Sequence, residues 1–168
     1  MLKGEAMPLL QRGISQRVSA QGMPEAPTIV IERAEDAPGA REPKKATEGS
    51  ACFDVYAAEE TVLEEGVVTL VRTGLKMRAP EGTFIEMRPR SGLSTHGVIM
   101  VNAPGTIDRD YANEVKVPLT VIFGERYTIH AGDRIAQMRL VTGTEATFAW
   151  GKVLPLGDRK GGFGSTGT

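Results

Sequence analysis

Glu114–Phe123 reads E-V-K-V-P-L-T-V-I-F, and its alternation decides the fold class. Val115, Val117, Leu119, Val121 and Phe123 fall on one face of an extended chain, with Glu114, Lys116, Pro118 and Thr120 on the other. A period of two marks a half-buried strand, because successive side chains point to opposite faces. Proline has no N–H to give a ladder, so Pro118 places this strand at an edge, a bulge or a subunit contact. Working outward, Thr28–Arg33, Val67–Arg72, Thr83–Arg88, Val98–Asn102, Arg134–Val141 and Thr147–Val153 are further predicted strands. Gly66, Gly74, Gly82, Gly97, Gly124, Gly132 and Gly151 punctuate them at turn-like intervals. Helical faces are missing apart from room for a turn or two around Gly92–His96. Many short strands with glycine turns predict an all-β sandwich or barrel.

A chain of 168 residues suits one domain with a real core. Lys+Arg 20 against Asp+Glu 21 leaves a net charge of −1, so no global basic field exists to hold nucleic acid. Phosphate binding must therefore be local. Cys52 stands alone, which excludes an intrachain disulfide and a thiolate zinc cluster. His96 and His130, the two histidines, argue against a His-built metal site. No apolar run approaches the roughly twenty residues of a membrane span. Residues 1–26 lack strong periodicity and read as a flexible extension, or as an over-extended start given Met7 and Met23. Lys3, Arg12 and Arg17 with Ser15 and Ser19 also permit a weak transit peptide. A cytoplasmic location is the default expectation and an organelle the alternative.

Val101–Val117, V-N-A-P-G-T-I-D-R-D-Y-A-N-E-V-K-V, gathers the most chemistry. It reads as two strands joined by a turn, a hairpin able to hold its side chains around one small molecule. Asn102 offers both donor and acceptor to a pyrimidine edge, and a wrong base would leave it unsatisfied. Asp108 can deprotonate a water held near phosphorus. Tyr111 can lie flat against a sugar and leave no room for a 2′-hydroxyl. A purely structural reading makes Asn102 a turn residue and Tyr111 a core aromatic.

Four other segments carry weaker signals. G-S-A-C-F-D-V-Y-A-A (Gly49–Ala58) sets Asp54 in an apolar strand, either as a strand-end carboxylate or as one that orients water on Mg²⁺. R-P-R-S-G-L-S (Arg88–Ser94) supplies the fork of Arg90, the hydroxyl of Ser91 and the open backbone of Gly92, which together suit an anion or an ordinary polar turn. In G-D-R-I-A-Q-M (Gly132–Met138), Gln137 sits amid apolar neighbours and needs partners if buried. Arg159 and G-G-F-G-S-T-G (Gly161–Gly167) form a glycine-rich tail that can wrap phosphates while Phe163 stacks on a base. Residues 151–160 contain no Walker A sequence, so ordinary NTPase chemistry is not suggested.

In this order, the five segments resemble the five motifs of the trimeric dUTPases and span Gly49 to Gly167. The resemblance implies an antiparallel β-barrel of jelly-roll type, homotrimeric, over residues 27–157, with an extension at 1–26 and a mobile arm at 158–168. It also implies Mg²⁺-dependent hydrolysis of dUTP to dUMP and pyrophosphate, which supplies thymidylate synthesis and keeps uracil out of DNA. By the same resemblance Asp108 is the base for the attacking water, and Asn102 with the adjoining Thr106 and Ile107 belongs to the uracil-reading segment. Tyr111 excludes ribose, and Lys116 sits beside the nucleoside. Arg90, Ser91, Gly92 and Gln137 hold phosphates, while Asp54 acts on the metal through water. Arg159, Phe163, Gly164, Ser165 and Thr166 close over the nucleotide, and each site draws on three subunits.

Three departures from the family pattern stand out. Only Lys160 separates Arg159 from Gly161, Ala112-Asn113 replaces the common Arg-Gly, and Cys52 occupies a usual glycine position. Asn tolerates left-handed backbone angles, so the turn after Tyr111 can survive. The alternatives are a dCTP deaminase-like enzyme and a non-catalytic dUTPase-like binding module. I-D-R-D-Y differs from the deaminases' I-D-P-G-[YF], and the arm is one they lack.

Overall fold

The alternating stretch Glu114–Phe123 anchors the fold. In the computed structural model, which describes residues 26–154, strand β9 (Lys116–Val121) buries Val117, Leu119 and Val121 to about 1% exposure, and Val115 just before it likewise. Each such side chain contributes about 1.5–3 kcal/mol when removed from water. The other elements in chain order are β1 (Val30–Arg33), β2 (Phe53–Tyr56), β3 (Thr61–Glu64), β4 (Thr69–Arg72), β5 (Leu75–Arg78), β6 (Thr83–Arg88), α1 (Ser91–Ser94), β7 (Val98–Met100), β8 (Gly105–Ile107), β10 (Arg126–Ile129) and β11 (Arg134–Thr142).

They pair antiparallel in four small sheets, ordered β2-β11-β6-β8, β4-β9-β7, β1-β5 and β10-β3. Leu63, Val71, Ile85, Ile129 and Ile135 carry the inward faces of several sheets into one core. The all-β, jelly-roll expectation holds, and among the described residues the single helical turn falls where a turn or two was expected.

Four details of the sequence reading need correction or narrowing. Of the three places open to Pro118, the edge is excluded, because β9 is the middle strand between β4 and β7. The N–H of Val101 donates to the Pro118 carbonyl (3.0 Å), and a strand residue's N and O point the same way. The missing N–H therefore faces the place where β7 ends, and the ladder survives. Phe123 is 58% exposed rather than buried. The chain turns away at Gly124, with φ of +86°, and the Phe123 ring lies against Gly97 instead. Thr147–Val153 forms no strand, and Phe148 and Trp150 there are fully exposed.

Val101–Val117, finally, is not a hairpin. β8 pairs with β6 (Ile85 opposite Ile107, Met87 opposite Gly105), whereas β9 pairs with β7 and β4. The segment crosses from one sheet to another. Strands β3, β5 and β10 went unread because each has four residues and an outward charge such as Glu64, Lys76 or Arg126 that blurs the alternation.

Candidate functional site: two separate cavities

The crossing segment lines one side of a cavity of about 570 Å³, with Leu70, Asn102, Tyr111, Asn113, Glu114, Lys116 and Pro118 around it. Leu70 and Pro118, opposite each other on β4 and β9, give it an apolar floor. The amide of Asn102 rests against the backbone of Gly105, where an added Cβ would lie 3.1 Å from Asn102 Nδ2. Glycine at 105 thus allows the amide its position. Tyr111 is 40% exposed and so is no core aromatic. Its N–H donates to the Asp108 carbonyl (3.2 Å), closing a turn, and its hydroxyl donates to the Glu114 carbonyl (3.1 Å).

Behind this cavity lies an ion-pair cluster centred on Arg72, the last residue of β4 and the cross-strand partner of Lys116. Its guanidinium meets Glu114 (3.0 Å), Asp36 (2.7 Å) and Glu59 (3.4 Å). The hydrogen bond to Asp36, followed by that to Glu114, raises the Arg72 pKa, and Arg72 in turn holds the Asp36 carboxyl below its ordinary value.

A second cavity, about 290 Å³, shares no lining residue with the first. Ala46, Ser50, Ala51, Cys52, Asp54, Arg90, Arg134 and Gln137 surround it. Asp54 on β2 is 8% exposed and stands opposite Gln137 on β11. Its carboxylate accepts from Arg90 Nε (3.0 Å) at one oxygen and from Arg134 Nη1 (3.3 Å) at the other. Arg90 also donates to the Arg134 carbonyl (3.3 Å). One carboxylate thus aligns two guanidinium groups, and the cavity keeps a net positive charge. Such charge-assisted bonds are the stronger kind, and forks of this sort suit phosphate oxygens.

The structure therefore brings Asn102, Tyr111 and Lys116 together in one place, and Asp54, Arg90 and Gln137 in another. Ser91 and Gly92 follow Arg90 as exposed residues of α1, and line neither cavity. Thr106 and Ile107 lie on β8, with Asp108 exposed just beyond them. Arg159, Phe163, Gly164, Ser165 and Thr166 lie outside the described residues, as does most of the 1–26 extension. Sequence reasoning missed Arg134, which was present in the same motif as Gln137, and missed the Arg72–Glu114 pair. Only their proximity across 42 residues reveals that pair.

The dUTPase family model matches residues 39–167, most of the chain and every motif from Gly49 onward. The chain belongs to the dUTPase family. Among dUTPase relatives, the deoxyuridine 5'-triphosphate nucleotidohydrolase of Finegoldia magna is 45% identical over 129 residues, covering 74% of this chain and 90% of that one. The nucleotidohydrolase of Helicobacter pylori strain J99 is 42% identical over 132 residues, with 77% and 91% covered. Among solved structures, a Staphylococcus bacteriophage 80alpha dUTPase variant with dUpNHpp superposes with a TM-score of 0.74 at 20% identity, covering 84% of this chain and 99% of that one. A phage phi11 dUTPase from S. aureus, described with a structural Mg(II) ion, gives 0.68 at 19% identity, with 76% and 98% covered. At those identities the superpositions speak for the dUTPase fold. Among the described residues, no helix is long and apolar enough to cross a membrane.

Proposed function

We propose that this chain hydrolyses dUTP to dUMP and pyrophosphate, as its relatives' names indicate for them. The observation that carries the reading is the polarity of the two cavities. One offers two amides, a ring and an apolar floor, with Lys116 and the Arg72-paired carboxylate of Glu114 cancelling in charge, and so suits the uncharged end of a nucleotide. The other presents two guanidiniums and an amide, and so suits its phosphates.

Asn102 pairs with the uracil edge, assisted by the segment of Thr106 and Ile107, and Tyr111 packs on the deoxyribose beside Lys116. Arg90, followed by Ser91 and Gly92, neutralises phosphate charge, and the Gln137 amide hydrogen-bonds the triphosphate. Asp108 takes a proton from water as the water oxygen bonds to the α-phosphorus. The bond from that phosphorus to the bridging oxygen breaks, and pyrophosphate departs. Such chemistry needs positioning and charge neutralisation rather than a covalent intermediate. Arg159, Phe163, Gly164, Ser165 and Thr166 would close over the site and exclude water, which strengthens those electrostatics.

Among the described residues, no cluster of three or more acidic, His or Cys side chains could cage a metal. Mg²⁺ is commonly held by substrate phosphates, waters and one or two carboxylates. Two guanidiniums already pair with the Asp54 carboxylate and would repel a cation at its oxygens, so this residue fits an ion through water rather than directly. Bound in this way, Mg²⁺ would screen the phosphate charge.

A homotrimer with shared sites is part of the same proposal. Val68, Leu70, Val101, Ile122 and Phe123 are each at least half exposed around β4-β9-β7, and Phe148, Trp150, Val153 and Leu154 protrude from the segment after β11. Monomers rarely leave so many large apolar side chains bare. Leu70 belongs to both this surface and the first cavity, so a neighbouring copy would close that cavity.

The deciding experiment measures pyrophosphate release from dUTP, dTTP, dCTP and UTP, with ammonia release from dCTP in parallel. We expect pyrophosphate from dUTP alone at appreciable rate. Ammonia from dCTP, or no turnover of dUTP with Mg²⁺ present, would overturn the reading.

A further inference from the structure

Resting on that reading of Tyr111, we propose that Glu114 is a positioning residue for sugar discrimination, held in place by Arg72 and acting through the Tyr111 hydroxyl. Residues 108–113 are exposed, so the ring needs something to fix its angle. Among the described residues Tyr111 makes two hydrogen bonds, the local turn to Asp108 and the hydroxyl bond to the Glu114 carbonyl. The second sets where the ring lies.

That carbonyl is an unusually fixed acceptor. The Glu114 side chain is 12% exposed, and its carboxylate accepts from Arg72 Nε (3.0 and 3.1 Å) and from the Gly74 N–H (2.8 Å). On the C-terminal side the Val115 N–H donates to the Leu75 carbonyl (2.8 Å), and the Thr73 hydroxyl donates to the Val115 carbonyl (2.6 Å). The peptide joining Glu114 to Val115 is thus pinned from both ends. Arg72 is itself held by Asp36 and Glu59. Charge-assisted bonds at low exposure make this anchor stiff. Loosening it frees the ring to tilt and opens room for a 2′-hydroxyl, so UTP gains more than dUTP loses.

The test compares kcat/KM for dUTP and UTP in Tyr111→Phe, Glu114→Gln, their double variant and Tyr111→Ala, with thermal melting of each. Tyr111→Phe keeps the ring and the ion pair and removes only the hydroxyl bond. We expect it to narrow the preference for dUTP over UTP about tenfold, the scale of one hydrogen bond. Glu114→Gln should narrow it by a similar factor and the double variant no further, since both act through one contact. An unchanged preference in Tyr111→Phe, alongside a collapsed one in Tyr111→Ala, overturns the positioning role and leaves the ring's role standing. An unchanged preference in Tyr111→Ala means that the sugar reading of Tyr111 has failed instead. An unchanged preference in folded Glu114→Gln overturns the role of its side chain, and should that variant not fold, Arg72→Lys, which loosens the same anchor, is read in its place.

Discussion

Replacing Gly74 by alanine should destabilise the fold far more than the same change at another left-handed glycine. Gly74 has φ of +68°, where an L-residue's Cβ crowds the carbonyl at a cost of about 1–2 kcal/mol. Its added Cβ would also stand 2.7 Å from the Cβ atoms of both Ala37 and Ala40 and 3.1 Å from that of Ala58. Carbon atoms prefer about 3.5–4.0 Å, and all three alanines are buried at 7% exposure or less. They cannot swing aside as long side chains do, so overpacking adds about 1–3 kcal/mol. The sum is about 2–5 kcal/mol, a large part of a typical domain's stability. Gly82 supplies the control: φ is +73°, yet nothing lies within 4 Å of its added Cβ, so Gly82→Ala should show the backbone contribution alone. Urea unfolding of both variants at one protein concentration reads the difference, since assembly of the proposed kind would make the midpoint concentration-dependent. Equal midpoints for the two variants would refute the packing argument. Because the Gly74 N–H holds Glu114, Gly74→Ala should also weaken the preference for dUTP over UTP.

Asp108→Asn should bind dUTP with little change yet lose turnover by several orders of magnitude; unaltered kcat would remove Asp108 as the base. Asp54→Asn should raise KM for dUTP and destabilise the fold by about 1–3 kcal/mol, the low side for a broken ion pair because Arg134 is 48% exposed and regains water. Chemical unfolding and steady-state kinetics check both halves. Glu32, Asp36 and Glu86 have carboxyl groups held below their ordinary values by hydrogen bonds to Lys76, Arg72 and Arg88 respectively. Depressed carboxylates contribute stability above their unfolded values of 4.5, 3.8 and 4.5, and lose it as pH falls through the folded ones. Melting temperature should therefore drop as pH falls below about 4, and less steeply in Asp36→Asn; parallel curves for the two proteins would remove the Arg72–Asp36 pair as a contributor.

Much of this was legible in the chain because it is local. The alternation of Val115, Val117, Leu119 and Val121 is a property of neighbouring residues, and burial followed it. The Arg90–Ser91–Gly92 turn and the placement of Asp54 on a strand were read the same way. Phe123 failed because periodicity cannot tell where a strand stops, and the Gly124 turn stops it early. The supposed hairpin failed for a deeper reason: two adjacent runs carry no information about which distant strand each will join.

The ordered motifs and their residue types determined the family and the chemistry on offer, since those depend only on which side chains exist and in what order. Tertiary structure decided which of them share a surface. It parted the Asn102–Tyr111 cavity, on the β4-β9-β7 sheet, from the Asp54–Arg90 cavity, on β2 and β11 of another. It also brought Arg72 to Glu114 and Arg134 to Asp54, pairs separated by 42 and 80 residues. Non-local pairings are set by the competition of whole sheets for one core, and no short window of sequence contains that competition.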